Sequence, residues 1–176
     1  MTDRALVQRM TAYMQWADDV MLNNAALLPE AEIAATRDTL FATISGTFDH
    51  ILVVEEIFRA HLEGRTHGFT ARRRAEPLPF AEVARRLRAM DDHYVDLAGR
   101  WSEAELEEVV RFTFVGGGEG AMSRQDILLH LVNHATYHRG FVSTLLYPLL
   151  NRMGLEMAGT DLTVFLRDAW SQPRAA

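Results

Sequence analysis

Cysteine is absent from the 176 residues, and so is lysine, so that all eighteen basic side chains are arginine. The first absence excludes a disulfide framework, a Cys-rich zinc site and a thiol nucleophile within the chain. Any thiol chemistry needs a thiol from outside. The second absence excludes Schiff-base and lysine-base mechanisms. Proline is scarce, at five residues, and no Pro/Gly-rich linker divides the chain. Residues 1–176 are therefore expected to form a single domain with a sizeable core. No apolar run approaches membrane-spanning length, and residues 1–20 carry charges throughout instead of a signal-type apolar stretch. A cytoplasmic protein with no membrane partner is the expectation. A net charge of −6 without a basic stripe argues against nucleic acid as a partner. The one basic run, Arg72-Arg73-Arg74, reads as a solvated turn and not as a phosphate site.

What the chain has in abundance is helical periodicity. Leu6, Met10, Tyr13, Trp16, Ala17 and Val20 recur at helical spacing in a first helix running to about residue 28, with Thr2 or Asp3 as its cap. Tyr13 and Trp16 are expected in the core. A second helix is expected over about 38–62, ended by Gly64. A third starts at Pro79 and runs to 99–101, and a short acidic helix follows from Ser102, whose capping box is completed by Glu105. The stretch Val109 to Gly120 joins β-branched and aromatic residues to a glycine cluster, which suggests an extended segment or small hairpin. The glycines cannot be a P-loop, since GxxxxGK[ST] is missing. Ser123 caps a fourth helix that is expected to end or kink near Tyr147-Pro148, and Gly140 inside it implies close approach of another backbone. A last short helix, capped by Thr160 or Asp161, would dock through Leu162, Phe165, Leu166 and Ala169. Four long amphipathic helices make an all-α four-helix bundle the natural fold class. The long loop over residues 64–79, rich in Arg, Gly and Pro, is a candidate lid or substrate contact.

The fourth helix carries His130, His134 and His138 at successive four-residue steps. Each step advances only roughly 40° around a helix, so the imidazoles form one ridge. Relative to His134, Ile127, Leu131, His138, Phe141, Val142, Leu145 and Leu149 fall within roughly 80°, which places His134 and His138 inside the apolar stripe and His130 at its edge. On the second helix His50 shares a face with Thr43, Thr47, Val54, Ile57 and Phe58. A polar ring in an apolar stripe must be hydrogen-bonded or ligated. His50, His134 and His138 can meet inside a bundle, and three neutral imidazoles suit zinc or nickel with positions left for water or substrate. His61, eleven residues from His50, lies too far along its helix to share the ion, and His67 and His93 read as surface or packing residues. Asp49 reads as a solvated acid, with orientation of an imidazole as its other role. Ala135 stands where HExxH chemistry needs its glutamate, so the motif is not that of an HExxH protease and metalloprotease activity is not expected.

These residues resemble the DinB/YfiT-like superfamily of metal-binding four-helix bundles, which is unrelated to the translesion polymerase of similar name. The likeness spans the chain: Tyr13-Met14-Gln15-Trp16-Ala17, Asp49-His50-Ile51-Leu52, Asn133 to Gly140 and Thr160-Asp161-Leu162. It implies a metal triad of His50, His134 and His138, zinc or nickel as the ion, and a homodimer. A frequent family pattern has Gln after His-Arg-Gly, and this chain has Phe141. The resemblance also implies a transferase that activates a low-molecular-weight thiol, with Tyr137 and Arg139 as substrate contacts or structural residues. Two other readings stand beside it: a stress-associated metal-binding dimer without turnover, and a metal-dependent hydrolase using bound water.

Overall fold

Four long helices carry the architecture of the computed structural model, which describes residues 4–170. They are α1 (Arg4–Ala26), α3 (Ile44–Leu62), α4 (Phe80–Arg100) and α6 (Arg124–Arg152). Between them lie the one-turn helices α2 (Glu30–Ala34) and α5 (Glu103–Glu107) and a hairpin of β1 (Val109–Thr113) and β2 (Glu119–Ser123), and α7 (Leu162–Asp168) follows. Helix α1 packs on α4 and α6, and α3 packs on the same two, so α1 and α3 face each other across the bundle. Met14, Ala17, Phe48, Ile51, Leu52, Leu87, Leu128 and Leu146 fill the space between them with no solvent exposure. Tyr94 enters this core because its hydroxyl donates to the Glu55 carbonyl at 2.6 Å. The fold is the expected all-α bundle, and the hairpin pairs antiparallel, with Gly117 and Gly118 at positive φ in its turn. No described helix is long and apolar enough to cross a membrane.

Several boundaries differ from the periodicity. The second long helix begins at Ile44, not near 38, because Thr43 is extended and its side chain accepts from the Gly46 amide at 2.7 Å. The residues before it form a tight turn, with Ala42 at φ 61° and the Arg37 amide donating to the Ala42 carbonyl at 2.6 Å. Gly46 is required there: a Cβ would stand 2.4 Å from the Phe41 carbonyl oxygen. Helix α6 runs through Pro148 to Arg152. An interior proline costs about 3 kcal/mol, but burial of Leu149 and Leu150 just beyond it returns about 1.5–3 kcal/mol each.

Gly140 approaches no backbone, since nothing lies within 4 Å of a Cβ placed on it. The last helix docks through Phe165 alone, against Tyr13 and Trp16 at 5.7 and 5.6 Å, while Leu162 and Leu166 stay exposed. Asp161 occupies its N-cap position without a side-chain capping bond. The segment is fastened instead by α1, whose Tyr13 hydroxyl donates to the Thr160 carbonyl and whose Asn24 side chain bonds both backbone groups of Ala158. The expected caps Thr2 and Asp3 lie outside the described residues.

Two glycines in long helices should thus respond oppositely to the same change. Gly46→Ala is expected to destabilise by about 1–3 kcal/mol through the clash with Phe41, and Gly140→Ala to stabilise by up to about 1 kcal/mol. Urea unfolding of both variants checks this; a destabilised Gly140→Ala would reveal a neighbour at that face.

Candidate metal centre

Helix α3 supplies His50 and α6 supplies His134 and His138, and one ring nitrogen of each lies within 4.8 Å of the others. His50 and His138 are buried and His134 is half-buried. The Nδ1 of His50 lies 2.6 Å from the Arg72 carbonyl oxygen. A carbonyl only accepts, so the proton sits on Nδ1 and the Nε2 of neutral His50 carries a lone pair. That Nε2 is 3.0 Å from Nε2 of His134. Burial, reinforced by the charges of His138 and His50, pushes His134 down to about 3. Burial and then His50 push His138 down to about 4. Burial also lowers His50, opposed by its bond to the Arg72 carbonyl. All three imidazoles are therefore neutral at pH 7, the state in which they ligate metals. This buried group could hold a metal ion.

Phe41, which the periodicity had placed inside a helix, stacks on His50 at 4.2 Å and meets His138 edge-on at 5.3 Å. Beside the histidines is a cavity of about 530 Å³, whose lining includes Leu40, Phe41, Arg72, Arg73, Asn133 and Tyr137. Its wall thus includes part of the loop over 64–79. The arginine run is not a solvated turn throughout. Arg74 donates to Asp49 at 2.8 Å and to Glu56 at 2.6 Å, and Arg86 also bonds Glu56. Asp49 is accordingly neither solvated nor bonded to an imidazole: it is buried and paired with Arg74. Burial raises its carboxyl above the usual range against the pull of Arg74.

The other singled-out residues separate cleanly. His130 packs on Phe58 with ring centres 5.0 Å apart and is not one of the three that converge. His61 stacks on Phe112 and touches His67, and His93 lies 3.9 Å from Glu63. Tyr137 is 70% exposed on the cavity wall and available to a ligand. Arg139 is not: its Nη1 donates to Asp18 at 2.8 Å inside the bundle, and its guanidinium lies over the Tyr13 ring. Tyr13 is buried, while Trp16 and Phe141 are half-buried. Two parts of the site carried no legible sequence signal. The Arg72 contact is made by backbone, and Phe41 lies in a turn set by Ala42 and Gly46.

Comparison with known proteins places this geometry in context. The DinB family model matches residues 1–175. Protein DinB of Bacillus subtilis (strain 168) is 24% identical over 159 residues, covering 88% of this chain and 90% of that protein. The crystal structure of a DinB-like protein from Bacillus cereus ATCC 10987 superposes with a TM-score of 0.61 at 20% identity, covering 84% of this chain and 91% of that one. The latter likeness is one of fold.

Two outcomes follow from the geometry. Because His134 and His138 take up protons only near pH 3 to 4, zinc affinity should change little from pH 7.5 to 5.5. Two ordinary imidazoles would lose roughly a hundredfold over that range; titration against a chelating dye at both pH values distinguishes the cases. Arg74→Ala should release the loop that holds His50 and weaken zinc roughly tenfold, whereas an unchanged affinity would mean the Arg72 carbonyl is positioned without those ion pairs.

Proposed function

The chain belongs to the DinB family, and on that premise we propose that it holds one divalent ion, zinc or nickel, through His50, His134 and His138 and uses it to activate a low-molecular-weight thiol for transfer to an electrophile. The observation that carries this reading is the convergence of three neutral imidazoles beside an accessible cavity. Three nitrogen ligands leave coordination positions for a small molecule, which a closed four-ligand structural site does not. The donor set suits zinc or nickel better than a hard cation. A divalent ion bound there supplies the Lewis acidity that favours thiolate over thiol.

The chain's own residues would do the rest. Phe41, stacked on His50 and edge-on to His138, would shield one side of the histidine group from water. Arg72 and Arg73 on the wall offer positive charge to a carboxylate-bearing thiol, and Tyr137 and Asn133 offer hydrogen bonds. With no cysteine in the chain, the sulfur nucleophile is external. Its S–H proton would pass to solvent water in the open cavity, an S–C bond form to the electrophile, and the bond from that carbon to the leaving group break, the leaving group departing with the electron pair. The described cavity lining contains no carboxylate, so proton removal rests on the ion alone; a thiol, being more acidic than water, needs that help less than the water of the hydrolase reading does. A homodimer belongs to the same proposal; exposed Tyr147, outside the cavity lining, is a surface that a second copy would cover. So does a cytoplasmic setting, where small thiols stay reduced.

The test is elemental analysis of the metal-loaded protein and of His134→Ala, followed by titration of small thiols into the cobalt-substituted form. One equivalent of metal, lost in the variant, with a thiolate-to-cobalt absorption band on titration, is the expected result. Metal without a thiol response would favour the metal-binding dimer, and absence of metal under metal-replete conditions would overturn the triad.

A further inference from the structure

A second group of ionisable side chains lies in the bundle away from the histidines. Asp18 from α1, Glu55 from α3 and Asp91 from α4 are each at most 1% exposed, and one carboxylate oxygen from each lies within 4.8 Å of the others. Arg139 from α6 completes the layer, so every long helix contributes one charged residue. The arginine satisfies little of it. Its Nη1 bonds Oδ1 of Asp18 at 2.8 Å and its Nη2 turns to the Thr136 hydroxyl at 2.8 Å. Oδ2 of Asp18, both oxygens of Glu55 and both oxygens of Asp91 are buried without a hydrogen-bond partner. Glu55 and Asp91 thus aim wholly unpartnered carboxyl groups into a shared space.

Such an arrangement is costly unless something else is present. Three carboxylates against one guanidinium leave two negative charges uncompensated, the charge that one divalent cation neutralises. Burial raises the Glu55 and Asp91 carboxyls well above the usual carboxylate range, and protons there would remove the charge and donate to neighbouring oxygens; an ion would instead meet one oxygen from each of the three residues at once. The spacing is suitable: metal–oxygen distances of about 2.0–2.6 Å span ligand oxygens up to roughly twice that far apart. The cluster lies behind a surface cavity, with its carboxylate oxygens themselves buried. Asp91 forms part of the wall of a cavity of about 590 Å³ that Asp19, Asp92, Trp16 and Trp170 also line.

The geometry points to a second divalent-cation site formed by Asp18, Glu55 and Asp91, distinct from the histidines and selective for hard ions. An all-oxygen donor set favours magnesium, calcium or manganese, while the nitrogen set favours zinc or nickel. The two sites would therefore sort ions by ligand chemistry within one bundle. This inference does not rest on the thiol-transfer reading.

Manganese(II) is the probe. His134→Ala, stripped by chelator so that the histidine group no longer holds metal, is expected to bind one equivalent of manganese, seen by electron paramagnetic resonance and elemental analysis after gel filtration. Adding Glu55→Gln or Asp91→Asn should weaken that binding at least tenfold. As a measurement independent of those variants, manganese should raise the melting temperature of the wild-type chain whose histidine group is already loaded with zinc. Absence of both the manganese signal and the melting shift would overturn the site. So would an infrared band of a protonated carboxyl that persists in excess manganese and vanishes in Glu55→Gln, because the layer would then hold protons.

Discussion

The pair formed by Arg139 and Asp18 fixes how α6 is turned in the bundle, and much of the molecule depends on that rotation. Both side chains are essentially without solvent, at 2% and 0% exposure. Removing one partner of such a pair costs about 3–5 kcal/mol, since the other remains as a buried charge. Consecutive helical residues point about 100° apart. With Arg139 committed to α1, His138 is directed toward α3, where His50 stands. One residue thus locks the helix to one neighbour while the preceding residue serves the candidate site against another.

The opposite half of the site is positioned by segments that have no regular structure. The turn before α3 places Phe41 flat against His50. The loop before α4 brings the Arg72 carbonyl to Nδ1 of the same ring and is tied down through Arg74 to Asp49 and Glu56. His50 therefore has its tautomer, its ring plane and its lone-pair direction set by two stretches of chain outside its own helix. Outer contacts of this kind orient a ligand as much as its own backbone does.

The bundle was legible because apolar residues recur at helical spacing, and the histidine ridge was legible because polar rings stood inside those stripes. The errors have equally specific causes. Leu40 and Phe41 continue an apolar pattern, but Thr43 capping and the tight turn at Ala42 delay the helix to Ile44. Pro148 reads as a stop or a kink, and the helix does not stop there because Leu149 and Leu150 beyond it are buried, which is invisible locally. Arg74 reads as solvated because its partners are 25 and 18 residues away in sequence. The buried carboxylates were the largest omission. Asp18 beside Ala17 and Met21, and Glu55 within an apolar run, carried the same signal as the histidines, a polar group on a buried face.

His50 and His134 are separated by 84 positions, and the chain between them contains α4, α5 and the hairpin. An ion shared by these rings would do for this cysteine-free protein what a disulfide does for a secreted one, by closing a long loop. In chain-entropy terms a closure of that length removes roughly 4–5 kcal/mol of freedom from the unfolded ensemble. Unlike a disulfide, the link would open and close with the concentration of free metal, making the persistence of the fold a readout of metal supply.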